Sequence, residues 1–292
     1  MGVDAPVAVC VPAHGSVRSM RKLLDSLMRL DYPREMTQVI VAIDGPDAAL
    51  EAACAEYPVE VVVSPVNRGS YAMRNLAIEQ VRDAQAVLFT DSDCVVTAHW
   101  VRAHLHGLRQ AEMSGGPVRF TMGDPPTPAE WMDRCQNLRQ DHFVTRVGYA
   151  ATCNLAVRRS VLDTLRFDDT LRSGGDFEFG HRARKAGFGL HYSTDAVIEH
   201  PARRTPRAVL RKIWRVSGGA RSLHERGLDA TERRDDTRGR AASVARAEGL
   251  RVSRWWLLRV AALDYACSAL FVVRVPHVIG PALRRRLLPG RP

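Results

Sequence analysis

The order of short apolar runs constrains this 292-residue chain more than any other feature. Runs rich in β-branched residues lie at 7–11 (VAVCV), 38–43 (QVIVAI), 59–63 (VEVVV) and 86–90 (AVLFT), with stretches of helical character between them at 17–30, 46–56 and 70–83. Strands that are apolar on both faces need cover on both faces, so runs of this kind belong to a parallel sheet with right-handed crossover helices. The expected fold class is α/β, a Rossmann-like, mostly parallel central sheet flanked by helices.

In open sheets of this kind ligands bind beyond the carboxyl ends of the strands, where loops meet helix N-termini and exposed amides. Four polar clusters fall on that edge: Pro12-Ala13-His14, Asp44-Gly45-Pro46-Asp47, Ser64 to Gly69, and Asp91-Ser92-Asp93. Asp91 and Asp93, one residue apart after an apolar strand, form a small hard oxygen site suited to Mg2+ or Mn2+ carrying phosphate. Aspartates in such spacing also serve as turn and helix-cap residues, so the pair alone does not choose between the two. Asp44 ends its strand where a carboxylate can accept a hydrogen bond from a uracil imide N–H, or simply form an Asp-Gly turn. Asn67, Gly69, Arg74 and Asn75 bracket the start of a helix, which sets amides and a guanidinium toward a nucleotide phosphate or ribose.

From about residue 115 the pattern becomes mixed, with a Gly115-Gly116-Pro117 turn, a short strand near 118–121, a helical stretch near 129–146 and a strand-like run at 189–198. In Gly174 to Arg182 an aspartate, Asp176, falls in the first turn of a helix, where a carboxylate can be aimed at a ligand as a base or can cap the helix. His200 follows an apolar strand and can complete a metal's coordination or serve the core.

Taken in order, VAVCVPAHG, VIVAIDG, NRGSYAMRN, LFTDSD, GGPV, TCNLAVRRS, GGDFEFGHR and EHP resemble the family 2 glycosyltransferases of GT-A fold, over about residues 6–201. The resemblance implies inverting, non-processive transfer of a sugar from a nucleoside diphosphate, with a UDP-sugar as donor, to an acceptor hydroxyl of unknown identity. It implies Pro12, Ala13 and Asp44 at the base, Arg74 and Asp91 near ribose and phosphate, and Asp93 on the metal with His200; Asn67 and Ser92 are further candidates for the nucleotide sugar, and Asp91 for the metal or a water bound to it. It also implies Asp176 as general base, Gly116 and Asn154 lining the sugar and acceptor side, and Arg182 as a later arginine of the same helix. The chain departs from the usual pattern at Ile43, at Pro46-Asp47, at Gly175 in place of a glutamate before Asp176, and in lacking the Gln-x-x-Arg-Trp signature of processive synthases.

Charge divides the chain unevenly. Residues 1–200 hold 21 Lys/Arg against 25 Asp/Glu, whereas residues 201–292 hold 21 against 7, so the net charge of +10 belongs to the C-terminal part. The expected organisation is a GT-A domain over 1–201, a helical extension over 202–224, a charged linker or loop over 225–254, and apolar, Arg-rich helices over 255–292 interrupted by Pro276 and Pro281. Trp255–Val273 has the length of a membrane span but carries Arg259 and Asp264, both costly near a bilayer centre, so packing or lying on an anionic membrane surface is expected instead. Such a tail also suits docking to a lipid-linked acceptor, covering the acceptor site, or pairing with a second copy as a homo-oligomer. Its aromatic residues are clustered rather than interleaved with the basic ones, so no nucleic-acid partner is expected.

The six cysteines form no Cys-x-x-Cys pair and no secretory leader precedes the first strand, which points to a reducing cytoplasm, peripheral to the inner face of the membrane at most. A catalytically silent nucleotide-binding or scaffold protein on the same fold is the alternative reading, since fold does not fix function.

Overall fold

The computed structural model describes residues 5–229 and 253–275. The chain divides into two compact units, one of residues 1–120 with 138–201, the other of residues 121–137 with 202–292.

The first unit is built on the four expected strands, Val7–Ala13 (β1), Thr37–Asp44 (β2), Glu60–Ser64 (β3) and Ala86–Thr90 (β4). Between them run helices Val17–Leu27 (α1), Ala48–Cys54 (α2) and Ser70–Glu79 (α3). Every residue of β1 and β4 is buried, as the two-sided apolar pattern requires. Ser16 caps α1 through the Ser19 amide, and Asp47 caps α2 by accepting from the amides of Ala49 and Leu50. The unusual Pro46-Asp47 turn is thus a helix start.

The remaining elements of this unit are Val95–Val96 (β5), Trp100–Gly107 (α4), Met113–Gly115 (β6) and Val118–Thr121 (β7), the last ending at its border. They continue with Asn154–Arg158 (β8), Gly175–Lys185 (the helix carrying Asp176), Leu190–Tyr192 (β9) and Ile198–Pro201 (β10). The main sheet has the order β3-β2-β1-β4-β8-β6-β9, and a small sheet has the order β5-β10-β7. Only β8 opposes its neighbours in the main sheet, pairing antiparallel with both β4 and β6. Its register sets Thr90 opposite Asn154.

Two local expectations are corrected. The helical stretch near 129–146 is broken at Asn137–Arg139, where Leu138 adopts a positive φ of 50°, and resumes as a short turn at Gln140–His142 and a wide turn at Phe143–Val147. The strand-like run 189–198 is two strands in different sheets, separated by a turn in which the Ala196 amide donates to the Ser193 carbonyl.

The second unit is helical. Pro128–Gln136 (α5) starts with a capping box between Thr127 and Glu130. In sequence order α6 is Gln140–His142, α7 is Arg159–Thr164 and α8 is Gly175–Lys185, all in the first unit; α9, Pro206–Glu225, and α10, Arg254–Arg274, are the further helices among the described residues of the second. Trp256 donates from its indole to the Pro126 carbonyl at 3.1 Å, and Gln136 donates to Asp264 at 2.6 Å. Asp264 therefore has a polar partner in the packed helices. Val260, Leu263, Cys267 and Phe271 form the buried stripe of α10. Among the described residues no helix is long and apolar enough to cross a membrane. Residues 230–252 of the expected linker, and Pro276 and Pro281, lie outside the described residues.

Candidate active site

The sites expected at strand ends assemble at the carboxyl edge of the parallel strands. After β4 the chain makes a tight turn, in which the Cys94 amide donates to the Asp91 carbonyl at 3.0 Å. Asp91, Ser92 and Asp93 are therefore turn residues, and the turn sends the two carboxylates to different partners. Asp91 accepts from Arg74 Nη2 at 2.5 Å, where the arginine side chain is 3% exposed and the aspartate side chain 37%. Asp93, 45% exposed, faces the buried ring of His200, with Oδ1 and Nε2 3.7 Å apart.

The Asp93–His200 pair has the geometry and chemistry of a cation site. Two donors about 2.1 Å from one octahedral ion lie about 3.0 Å apart when adjacent and about 4.2 Å apart when opposite, so 3.7 Å is within reach of a single ion. His200 Nδ1 lies 2.9 Å from the Pro201 carbonyl, which can only accept. Nδ1 therefore donates, which leaves Nε2, on the side of Asp93, as the ring nitrogen placed to bind a cation. Cys94 has its sulfur within 4.8 Å of the same ligand atoms, but burial first of all, and then the thiol of Cys153 and the carboxylates of Asp91 and Asp93, push its pKa well above the ordinary thiol range. A buried, soft thiol raised in this way is the poorest donor of the three for a hard cation. Among the described residues, the protein's own donors are thus one carboxylate and one imidazole, a set that leaves positions for phosphate oxygens and water.

Arg74 is held at the bottom of this edge. Its guanidinium lies 5.5 Å from the centre of the Tyr71 ring, and its Nε is buried with no hydrogen-bond partner. A buried cation with one partner and one unused donor is the kind of group that a phosphate or ribose oxygen completes.

Asp44, buried at the end of β2, accepts from the amides of Arg68 at 2.6 Å and Gly69 at 2.9 Å, one on each oxygen. It shapes the loop before α3 as well as ending its strand. Pro12 and Ala13 lie beside it, paired in register with Ala42 and Ile43. Asn67 is held by Arg172, whose guanidinium donates to its side-chain oxygen at 2.9 Å. Asp176 stands in the first turn of α8, accepting from the Phe177 amide at 2.9 Å and from the Tyr71 hydroxyl at 3.5 Å.

Four of the residues singled out in the sequence are engaged within the fold. Asn154 does not line the edge: it is fully buried, its oxygen accepts from Trp100 and His104, and its amide donates to the carbonyls of Pro117 and Ala196. All of its hydrogen-bonding capacity goes to tying the start of β8 to α4 and to the turns at Pro117 and Ala196. Gly116 is required by packing, since a Cβ there would lie 2.0 Å from the Ala196 carbonyl oxygen. Arg182 turns back to Glu178, with bonds of 2.5 and 2.8 Å, and to the Arg166 carbonyl. Asn75 exchanges two hydrogen bonds with the backbone of Phe167 and so fixes a loop rather than a ligand. Tyr71 is the residue that sequence reasoning passed over, although it lies in the NRGSYAMRN segment between two residues already singled out.

Comparison with known proteins gives this geometry its class. The family model described as "Glycosyltransferase like family 2" matches residues 5–219. The chain belongs to glycosyltransferase family 2. It is 30% identical over 221 residues to glycosyltransferase AglE of Haloferax volcanii, covering 73% of this chain and 72% of that protein. It is 26% identical over 237 residues to the pre-mycofactocin glycosyltransferase of Mycobacterium tuberculosis, covering 77% of this chain but only 49% of that longer protein. Among solved structures, S. aureus TarS 1–349 in complex with UDP-GlcNAc matches with a TM-score of 0.54 at 18% identity, over 93% of this chain and 83% of that one. Mannosyltransferase PcManGT from Pyrobaculum calidifontis, in complex with GDP-Man and Mn2+, matches with a TM-score of 0.56 at 16% identity, over 96% and 80%. The fold shared with these two is GT-A, and this family 2 member is a glycosyltransferase.

Proposed function

We propose that this glycosyltransferase moves a sugar from a nucleoside diphosphate to an acceptor hydroxyl by a single inverting displacement, with a divalent ion at Asp93 and His200. The 3.7 Å approach of these two side chains, from the ends of β4 and β10, is the observation that carries the reading. Neighbouring GT-A structures hold UDP-GlcNAc in one case and GDP-Man with Mn2+ in another, the donor class for which this edge is suited. A mixed carboxylate and imidazole set favours Mn2+ over Mg2+, which takes oxygen ligands. When bound, the ion would neutralise charge developing on the leaving diphosphate.

The chain's own residues supply the rest. Arg74, steadied by Asp91, donates to phosphate or ribose. Asp44 accepts from a base edge that presents N–H, as uracil does, through lone pairs its two amide partners leave over. Asp176 takes the proton of the acceptor hydroxyl as the new bond forms, so that no covalent sugar–enzyme intermediate arises.

Turnover of nucleotide sugars with Mn2+, followed by nucleotide release, tests this reading. Asp176→Asn is expected to lower turnover by a factor of about 100 to 10,000 with nucleotide affinity retained, and Asp93→Ala to abolish the Mn2+ dependence of UDP binding. Normal turnover in the first variant removes the base, and an unchanged Mn2+ titration in the second removes the ion site.

A second reading concerns the acceptor. In the helical unit, Trp255, Leu258, Tyr265 and Val273 stand exposed along α10, while α9 exposes Arg207, Arg211 and Arg215 beside Trp214. Arg274 of α10 stacks 3.5 Å from the Trp214 ring centre, which joins the two faces. An apolar, aromatic face next to an arginine face is suited to the interface of an anionic membrane, where a lipid-linked acceptor would be presented, at the inner face of the membrane. Cosedimentation with phosphatidylglycerol vesicles at low salt is the check, and failure to bind, or a salt-independent dimer in its place, overturns the reading.

A further inference from the structure

Tyr71 stands on α3, three residues before Arg74, and its buried ring packs against the start of α8, the helix that carries Asp176. A Cβ on Gly175 would meet its ring atoms at 2.8 to 2.9 Å, closer than real side chains approach. Only glycine admits the ring at this place, and the residue that departs from the family's usual glutamate is this same Gly175. The ring also stacks against Phe167, with centres 6.1 Å apart, and carries the Arg74 guanidinium on its face. Its position is therefore set from three sides by apolar and cationic contacts, and its hydroxyl is directed to Oδ1 of Asp176 at 3.5 Å.

We propose that Tyr71 is the positioning residue of the catalytic carboxylate, its phenol holding Oδ1 of Asp176 in the space that the absent side chain at 175 leaves open. The inference rests on the reading of Asp176 as general base. The phenol and the Phe177 amide converge on the same oxygen, so the carboxylate is steadied from one side through Oδ1. At 3.5 Å the phenolic bond is longer than a formed O–H···O bond, in keeping with catalytic hydrogen bonds that tighten when substrate is bound. Because the same ring touches Arg74, Tyr71 couples the alignment of the base to the residue that meets the donor.

The experiment is Tyr71→Phe in the full chain, which keeps the ring and removes the hydroxyl. The expected result is a fall in kcat of about tenfold or more, since small errors in the placement of a reacting group are costly, with UDP affinity, donor KM and thermal midpoint unchanged. Gly175→Ala, which aims a methyl group at the ring, is expected to lower kcat in the same way. A wild-type kcat in Tyr71→Phe overturns the proposal. So does a weakened UDP affinity at unchanged kcat, because the hydroxyl would then act on the donor side. Asp176→Asn separates the two ideas: if that variant still turns over, the base assignment itself is wrong, whereas an inactive Asp176→Asn beside a fully active Tyr71→Phe removes only the role of Tyr71.

Discussion

Each unit of the molecule buries a charged cluster, and the two clusters are completed in opposite ways. In the helical unit Asp133 is fully buried and surrounded: Arg203 donates to it from its backbone amide at 3.0 Å and its guanidinium at 2.9 and 3.1 Å, Asn137 donates at 2.7 Å, and Lys212 lies 3.6 Å away. Burial pushes the pKa of this carboxyl up, but Lys212 and Arg203 outweigh it and hold the group below the ordinary range. In the sheet unit Arg74 is almost as buried, yet it has one half-exposed carboxylate partner and an Nε with none. Closed networks of this kind hold a fold together; an open one at a strand end is an invitation to a ligand.

Substitution separates the two most sharply at Asp133. Asp133→Ala leaves two cations without their shared partner and is expected to cost about 3 to 5 kcal/mol of stability, read as a lowered denaturation midpoint, while the folded protein keeps its nucleotide affinity. A loss of affinity without a loss of stability would reverse the assignment of the two clusters.

A smaller effect distinguishes a third, closed network behind the active edge. Asn154 can only accept at its oxygen, so His104 donates from Nε2 and accepts from Ser114 at Nδ1. Complete burial, opposed only in part by Asn154, lowers the His104 pKa from 6.5 to about 4. The unfolded chain takes up this proton below about pH 6.5 and the folded chain does not until about pH 4, so stability falls as pH drops through that window, by up to about 1.4 kcal/mol per unit. His104→Gln is expected to shrink the difference in unfolding free energy between pH 7.5 and pH 5 by about 2 kcal/mol. An unaltered difference would mean that the ring titrates normally.

The smallest change in stability is expected at the open cluster itself. Asp91→Asn should weaken UDP binding by about tenfold, or about 1.4 kcal/mol, with little movement of the thermal midpoint. A large stability loss with unchanged binding would make Arg74–Asp91 a structural pair like that at Asp133.

The four parallel strands and their helices were legible because burial on both faces writes a continuous apolar run into each strand. β8 was not, since Asn154–Arg158 pairs antiparallel at the middle of the sheet and only the neighbours β4 and β6 reveal where it belongs. The internal partners of Asn154 were hidden for the same reason: a buried amide holding four partners and an exposed one holding a sugar are the same letter. Leu138 broke an expected helix by adopting a positive φ that no sequence rule assigns to leucine.

By itself the sequence determined the parallel framework and the edge at which polar residues collect, because strand burial and turn chemistry are local consequences of side-chain type. It also marked the Asp91-Ser92-Asp93 turn without deciding between turn and site. The partners of the two carboxylates were set by the tertiary structure, which turned Asp91 to a buried arginine and Asp93 to the ring of His200. Tyr71 entered only there, in the space left by Gly175. Electrostatic and steric complementarity act through distance, and distances between residues far apart in the chain exist only once it is folded.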